Sequence, residues 1–474
     1  MTPVSTGHRA TATTAAAESA GGPFAPAYRL ITVALVALIT IVAFEFMAIA
    51  TAMPQAAEDL DAVRSYGLAF SVMLTAQLLG IVLAGVWSDR SGPMPGLYAG
   101  QLLFAAGAAT CGLAPSFPIL LVGRAITGLG AGLVIVVLYV VVGQVYPGAV
   151  RPRVFSFVSA AWILPSLVGA PLSGWLASTF TWRLVFWVVV PPALVTLAIV
   201  VRQSAAIRRQ DDRTEHGPDE RSQHRRTAQL GVLVALAAGL VQLGTHERFP
   251  LLSWQTLAAV LGVAGLLVVT PRLLPAGTLR MVRGLPSVIL SRFLLNASFA
   301  GSITFLPLML TQERSSTLAT AGAVLAVGSL GWSGGSWVQG LASMAGRRAA
   351  LVSLGGLFLA LGALAMVVIT AAGWSVWLFG PAMVLAGTGM GLGSTSLSVL
   401  LLDLAPAGEY GKASAALQLA DVLGSVLGIA GASALFVSFH TSGGDTRTYL
   451  LIWGLLAVVA ALVVVAGRRC AVRS

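Results

Sequence analysis

Charge is what this sequence has least of: Asp, Glu, Lys and Arg make up 9% of its 474 residues, against about 25% in an ordinary soluble domain. A water-facing surface cannot be built from so few charges, so a soluble class is excluded. Cysteine is nearly absent. Cys111 and Cys470 fall near opposite membrane faces in the topology below, which excludes a disulfide between them; they read as packing filler and a tail thiol. None of the five histidines stands with a second histidine or a carboxylate at ligand spacing inside an apolar run, so metal ligation and a membrane-embedded enzyme lack their residues. No GxxxxGK[ST] run is present, which removes ATP as the energy source. Residues 1–28 lack the apolar stretch and cleavage context of a secretory leader and read as a disordered cytoplasmic tail.

What is abundant is apolar surface. Hydrophobic residues reach 57% and the mean hydropathy is +0.88, which describes a polytopic membrane chain. A spanning helix needs about 20 apolar residues, and the sequence offers about fourteen such runs: 30–53, 67–88, 94–113, 117–146, 153–177, 183–201, 228–245, 251–270, 286–311, 318–338, 349–372, 375–403, 411–437 and 448–467. The net charge of +11 would suit nucleic acid only if the basic residues shared one solvated face. They fall instead in short clusters between apolar runs, where they report topology. With the N-terminus inside, Arg90, Arg151, Arg153, the segment Arg202–Arg226, Arg272, Arg280, Arg283, Arg347, Arg348, Lys412, Arg468, Arg469 and Arg473 are cytoplasmic. Arg64, Arg183, Arg248, Arg314 and Arg447 then face outward. Both termini are thus expected in the cytoplasm. The organisation that follows is a tail (1–28), a six-helix bundle (29–202), a charged linker (203–227), two additional helices with a loop (228–285), a second six-helix bundle (286–467) and a short tail (468–474).

Four short motifs stand out. GVWSDRSG places Gly85, Asp89, Arg90 and Gly92 where the second run must turn into the third, and an Asp beside an Arg can bond a neighbouring helix end. GLASMAGRR, after the tenth run, repeats it faintly through Gly340, Gly346, Arg347 and Arg348 without an acid. LLVGRAITGLGAG holds Arg124 ahead of Gly128, Gly130 and Gly132, which permit close helix packing. LPSLVGAPLSG holds Pro165, Gly169, Pro171 and Gly174, in which a proline bends the helix and small neighbours let another helix slide past.

Together with TWRLVF (Trp182, Arg183, Phe186) and AFEFMAIATAMP, these motifs resemble the major facilitator superfamily in its fourteen-helix drug:proton antiporter branch, over about residues 30–465. Two departures are visible. Pro93, Met94 and Pro95 stand where the loop signature usually ends in a basic pair, and Ala170 and Ser173–Gly174 replace glycines of the kinked motif. The resemblance implies an all-α polytopic fold with two six-helix bundles and two extra helices. It also implies export of lipophilic, amphipathic or cationic small molecules by alternating access, driven by a proton gradient with no other cofactor. The expected setting is the bacterial inner membrane and the expected partners are the small-molecule substrate, protons and membrane lipid, with no nucleic acid. The expected state is a monomer. A dedicated exporter of one endogenous metabolite or lipid is the alternative, and a membrane-embedded enzyme or a channel is the reading from another class.

The residue that most needs explaining is Glu45, an acid inside the first apolar run. An ionised carboxylate in hydrocarbon is costly, and the default reading of such a residue is functional. Glu45 lies about eight residues, roughly 12 Å, below Met53 at the outer end of its run. Arg124 lies at a similar depth in the fourth run, so the two are expected to meet or communicate, either as a proton-switching pair or as a permanent structural bridge. Arg292 and Asp421 form a second candidate pair in the other half, and Asp403 reads as interfacial. Gln77, Tyr139, Trp162, Asn296, Trp332, Trp337 and Gln418 are the polar and aromatic candidates for a substrate cavity.

Overall fold

The computed structural model describes residues 23–26, 28–146, 150, 153–154, 157, 161, 163–208, 218–245, 253–406, 410–441 and 445–471. Among them every regular element is helical, as a lipid environment demands of backbone groups that find no water. The α-helices are α1 (Arg29–Asp59), α2 (Leu68–Ser91), α3 (Pro93–Gly112), α4 (Phe117–Val145), α5 (Ile163–Thr179), the short α6 (Trp182–Trp187) and α7 (Val190–Arg208), followed by α8 (Pro218–Thr245) and α9 (Trp254–Leu273). The rest are α10 (Leu285–Gln312), α11 (Leu318–Gly340), α12 (Arg348–Ala372), α13 (Phe379–Leu404), α14 (Tyr410–Phe439) and α15 (Thr446–Arg468).

Helix ends follow local chemistry. Gly92, with φ 76°, takes the left-handed backbone that lets α2 turn directly into α3. Gly373, with φ 67°, closes α12, and Arg314 donates to the carbonyls of Ile369 and Thr370 at that same end. Thr181, Ser253 and Thr317 cap α6, α9 and α11 through their hydroxyls.

Among the described residues eleven stretches are long and apolar enough to cross a membrane, where fourteen are expected. The three runs outside that number are the 20-residue α3, the 17-residue described part of α5 and the short apolar stretch Ala228–Gly244 within α8. Other boundaries also shift. Helix α1 continues through Pro54 to Asp59, which puts Glu45 about 21 Å from the helix end by the rise per residue, deeper than expected. Helices α7 and α8 extend into the charged linker, to Arg208 and from Pro218; residues 209–217 lie outside the described residues, as does nearly all of the tail 1–28. Cys470, the tail thiol, is free but buried beside the Ser291 hydroxyl, and burial pushes its pKa up to about 11.

Two bundles repeat one packing plan. In the first, α1 packs on α5, α2 and α3 both pack on α4, and α3 packs on α7; in the second, α10 packs on α14, α11 and α12 both pack on α13, and α12 packs on α15. The close approaches come from glycines. A methyl on Gly128 or Gly132 would strike the α2 carbonyls of Met73 or Gln77, at 2.1 and 2.2 Å, whereas one on Gly130 would strike α3 at Phe104. Gly387 and Gly391 do the same toward α11, and Gly389 toward α12. The bundles meet along two seams, α2 against α14 and α5 against α11. The hairpin α8–α9 lies outside both bundles, with α8 against α2 and α14.

The two ends of the molecule differ. At one end the seams are sealed: Tyr66 donates its hydroxyl to the Thr304 carbonyl at 2.9 Å and sets its ring against Phe305. A methyl on Gly67 would lie 1.8 Å from Ser433 Oγ, one on Gly174 2.5 Å from the Leu318 carbonyl, and one on Gly322 2.5 Å from the Ala170 carbonyl. At the other end a methyl on Gly85, Gly340 or Gly346 would meet no atom of the described residues within 4 Å.

Candidate functional site

Between these ends, in the first bundle, α1 and α4 bring Glu45 and Arg124 together. Arg124 Nη1 donates to Glu45 Oε1, and the guanidinium is further fixed by Nε donating to the Ala69 carbonyl of α2 at 2.8 Å. Both residues are buried, with 1% and 2% of their surface exposed. The other carboxylate oxygen, Glu45 Oε2, is buried without a hydrogen-bond partner. A fully ionised carboxylate would be expected to satisfy both oxygens, because a bare buried anion costs several kcal/mol where a protonated carboxyl costs less. Helix α5 supports the site from the other side: Ser173 donates its hydroxyl to the Ala48 carbonyl of α1, and Gly169 lets α5 approach Phe44 and Met47. Pro171 lies inside α5, and Pro165 and Gly174 are buried.

The second bundle carries its own ion pair. Arg292 on α10 holds Asp421 on α14 through both carboxylate oxygens, Nε at 2.9 Å and Nη2 at 3.0 Å, and donates Nη1 to the Ser394 carbonyl of α13 at 2.9 Å. The pair is partly exposed, 15% for Arg292 and 23% for Asp421. Asn296, one turn further along α10, donates to the Arg292 carbonyl.

The other candidates divide. Trp332 stands edge-on to Phe299 of α10, with ring centroids 5.4 Å apart, facing inward with Asn296. Trp337 does not join it: it is 70% exposed, because it follows Gly335, which packs on α13, by two residues and so points away from the bundle. Gln77 is half-buried on α2 and Gln418 is exposed on α14. The side chains of Asp89, Arg90 and Tyr139, and Trp162 altogether, lie outside the described residues. Asp403 is more than interfacial, since it accepts from Arg348 at 2.7 Å. The faded second loop signature thus receives its acid from α13.

Sequence reasoning missed several partners. Trp182 donates its indole N–H to Asp59 at 2.8 Å, tying α6 to the end of α1, and the Arg183 guanidinium lies 4.3 Å over the Trp182 ring while donating to the Ala114 carbonyl. The TWRLVF motif marked those two residues, but nothing marked Asp59.

The model of the Major Facilitator Superfamily matches residues 35–429, and the chain belongs to that family of transporters. Among curated relatives, the multidrug efflux pump SdrM of Staphylococcus aureus is 27% identical over 36% of this chain and 38% of its own length. The multidrug transporter protein MdtP of Bacillus subtilis is 25% identical over 32% of this chain and 28% of its own. The matched stretch thus spans about a third of these relatives. Among solved structures, the peptide transporter POT in complex with sulfate superposes with a TM-score of 0.69 at 16% identity, over 97% of this chain and 98% of that one. The D-xylose–proton symporter superposes with a TM-score of 0.62 at 17% identity, over 91% and 96%. At these identities the structures establish the fold.

Proposed function

We propose that this transporter exports lipophilic or cationic small molecules across a bacterial inner membrane in exchange for protons. In this reading all fourteen apolar runs cross the bilayer, both termini lie in the cytoplasm, and the sealed end faces outward, so that the structure is the inward-facing form. The two bundles rock about the level of Glu45, and each seam opens at one end as it closes at the other.

One observation carries the reading: Glu45 is buried in an ion pair that leaves one carboxylate oxygen bare. Holding a charge in this buried pair depends on how much water reaches it, so water access and the proton on Glu45 are coupled. Opening of the outer seam wets Glu45 and lets a proton arrive. Protonation then loosens the hold on Arg124, which keeps its anchor on Ala69. The names of SdrM and MdtP support a drug-like cargo, and α5, with Pro171 inside it beside Glu45's helix, supports exchange over uniport. The test is flux in proteoliposomes screened over a panel of lipophilic cations. An inward-acid pH gradient, which reproduces the cell orientation for inside-out protein, is expected to drive uptake of at least one compound, with proton efflux. Uptake of a panel compound that ignores the gradient would contradict exchange.

A further inference from the structure

Among the described residues the α8–α9 hairpin sits on one seam and not on the other. Helix α8 lies antiparallel along α2 for about 16 Å: a methyl on Gly231 would come within 2.4 Å of Val82 Cγ2, and one on Gly239 lies 3.9 Å from Thr75 Cγ2. Eleven residues on from Gly231, Gln242 donates Nε2 to the Ser71 carbonyl at 2.9 Å and to Thr75 Oγ1. The same helix packs against α14, so it bridges the α2–α14 seam while its polar anchor grips α2. Helix α9 seals its back through Gly262, which meets the Ala237 carbonyl. The hairpin's far face, including Trp254, Leu257 and Leu267, is more than half exposed.

The covered seam is polar. It holds a pocket in which Arg64, Ser65, Ser71 and Ser433 alternate with Gly67, Leu68, Ala430 and Val437, and Ser433 Oγ is buried without a hydrogen-bond partner. Acyl chains cannot satisfy such groups. The α5–α11 seam is apolar, built from Ala170, Gly174, Leu318 and Gly322. Leu164 and Val168 on α5 and Trp337 on α11 are exposed around it, and among the described residues no helix from outside the two bundles packs on it.

We propose that the α8–α9 hairpin is a fixed cover carried by the first bundle: it keeps bilayer lipid off the polar α2–α14 seam and leaves the α5–α11 seam as the side at which lipid-dissolved apolar molecules meet the transporter. The cover is independent of the transport reading and is tested without a cargo. Membranes containing the full-length protein and a phospholipid with a diazirine on its acyl chain are irradiated, and adducts are mapped by peptide mass spectrometry. Adducts are expected on the outer faces of α8 and α9 and on residues 163–168 and 330–337. Residues 430–437 of α14 are expected to carry at least ten-fold fewer, and Gln242→Leu to raise them several-fold. Equal labelling of 430–437 and 163–168 in the unaltered protein overturns the cover.

A second arm tests whether it is fixed. In a background with Cys111 and Cys470 replaced, Thr75→Cys with Gly239→Cys is oxidised with copper phenanthroline. More than half of the protein is expected to cross-link, with the lipid map unchanged. Failure to cross-link means that α8 does not dock on α2, and a changed map in the cross-linked protein means that the hairpin swings away. Either result overturns the proposal.

Discussion

The Tyr66 hydroxyl, two residues ahead of α2, reaches the Thr304 carbonyl on α10 at 2.9 Å, and with Tyr66 wholly buried this bond crosses from one bundle to the other at the sealed end. Tyr66→Phe keeps the ring against Phe305 and removes only the bond, worth about 0.6–1 kcal/mol in a membrane interior. The seal is expected to open about three- to five-fold more often. An impermeant maleimide applied from outside, reacting with Ser433→Cys in a background lacking both native cysteines, reads this directly. An unchanged rate would remove Tyr66 from the gate.

Glycines separate the two ends. Gly67→Ala forces a methyl into Ser433 Oγ, and Gly85→Ala meets nothing among the described residues. The first is expected to hold the sealed end apart and to raise maleimide reactivity at a cysteine introduced there by at least ten-fold. The second is expected to leave the sealed end intact, with a small gain in helix stability of up to about 1 kcal/mol. If Gly85→Ala instead lowers the thermal midpoint, the end holding Gly85 is packed in a way this structure does not hold.

The pair Arg292–Asp421 invites a choice between bridge and gate. Asp421→Asn leaves Arg292 with its Ser394 bond and partial solvent. A bridge is expected to lose about 1–3 kcal/mol, less than a fully buried pair would, and Arg292→Met added to it should restore part of the loss. A normal melting profile in detergent with lost flux would make the pair a moving part.

Much of this was legible because charge is rare in a lipid-facing sequence. Glu45, Arg124, Arg292 and Asp421 each stood out against apolar neighbours, and counting residues along helices put the first two at one depth. The pairing of Arg348 with Asp403 was not legible, since it joins helices through the fold and neither residue sits in a buried run. The glycines Gly387, Gly389 and Gly391 repeat the spacing of Gly128, Gly130 and Gly132. They went unread because Met383, four residues before the first of them, stands where Arg124 stands in the other half. Trp337 was misplaced because composition ignores direction, and the 3.6-residue period read from Gly335 would have turned it outward. The hairpin's seat on α2 has no sequence signature beyond Gln242, an amide at the far end of the apolar half of α8.

The most direct measurement concerns Glu45→Gln, which keeps size and hydrogen bonding but fixes the neutral state. Thermal unfolding in detergent, affinity for a neutral lipophilic compound and pH-gradient-driven flux are measured on one preparation. A proton switch is expected to give near-normal stability and binding with flux lost, since the variant resembles the protonated transporter. A permanent bridge instead leaves Arg124 orphaned, a loss of about 3–5 kcal/mol that Arg124→Met would partly restore. Gradient-driven flux retained in Glu45→Gln would contradict the account.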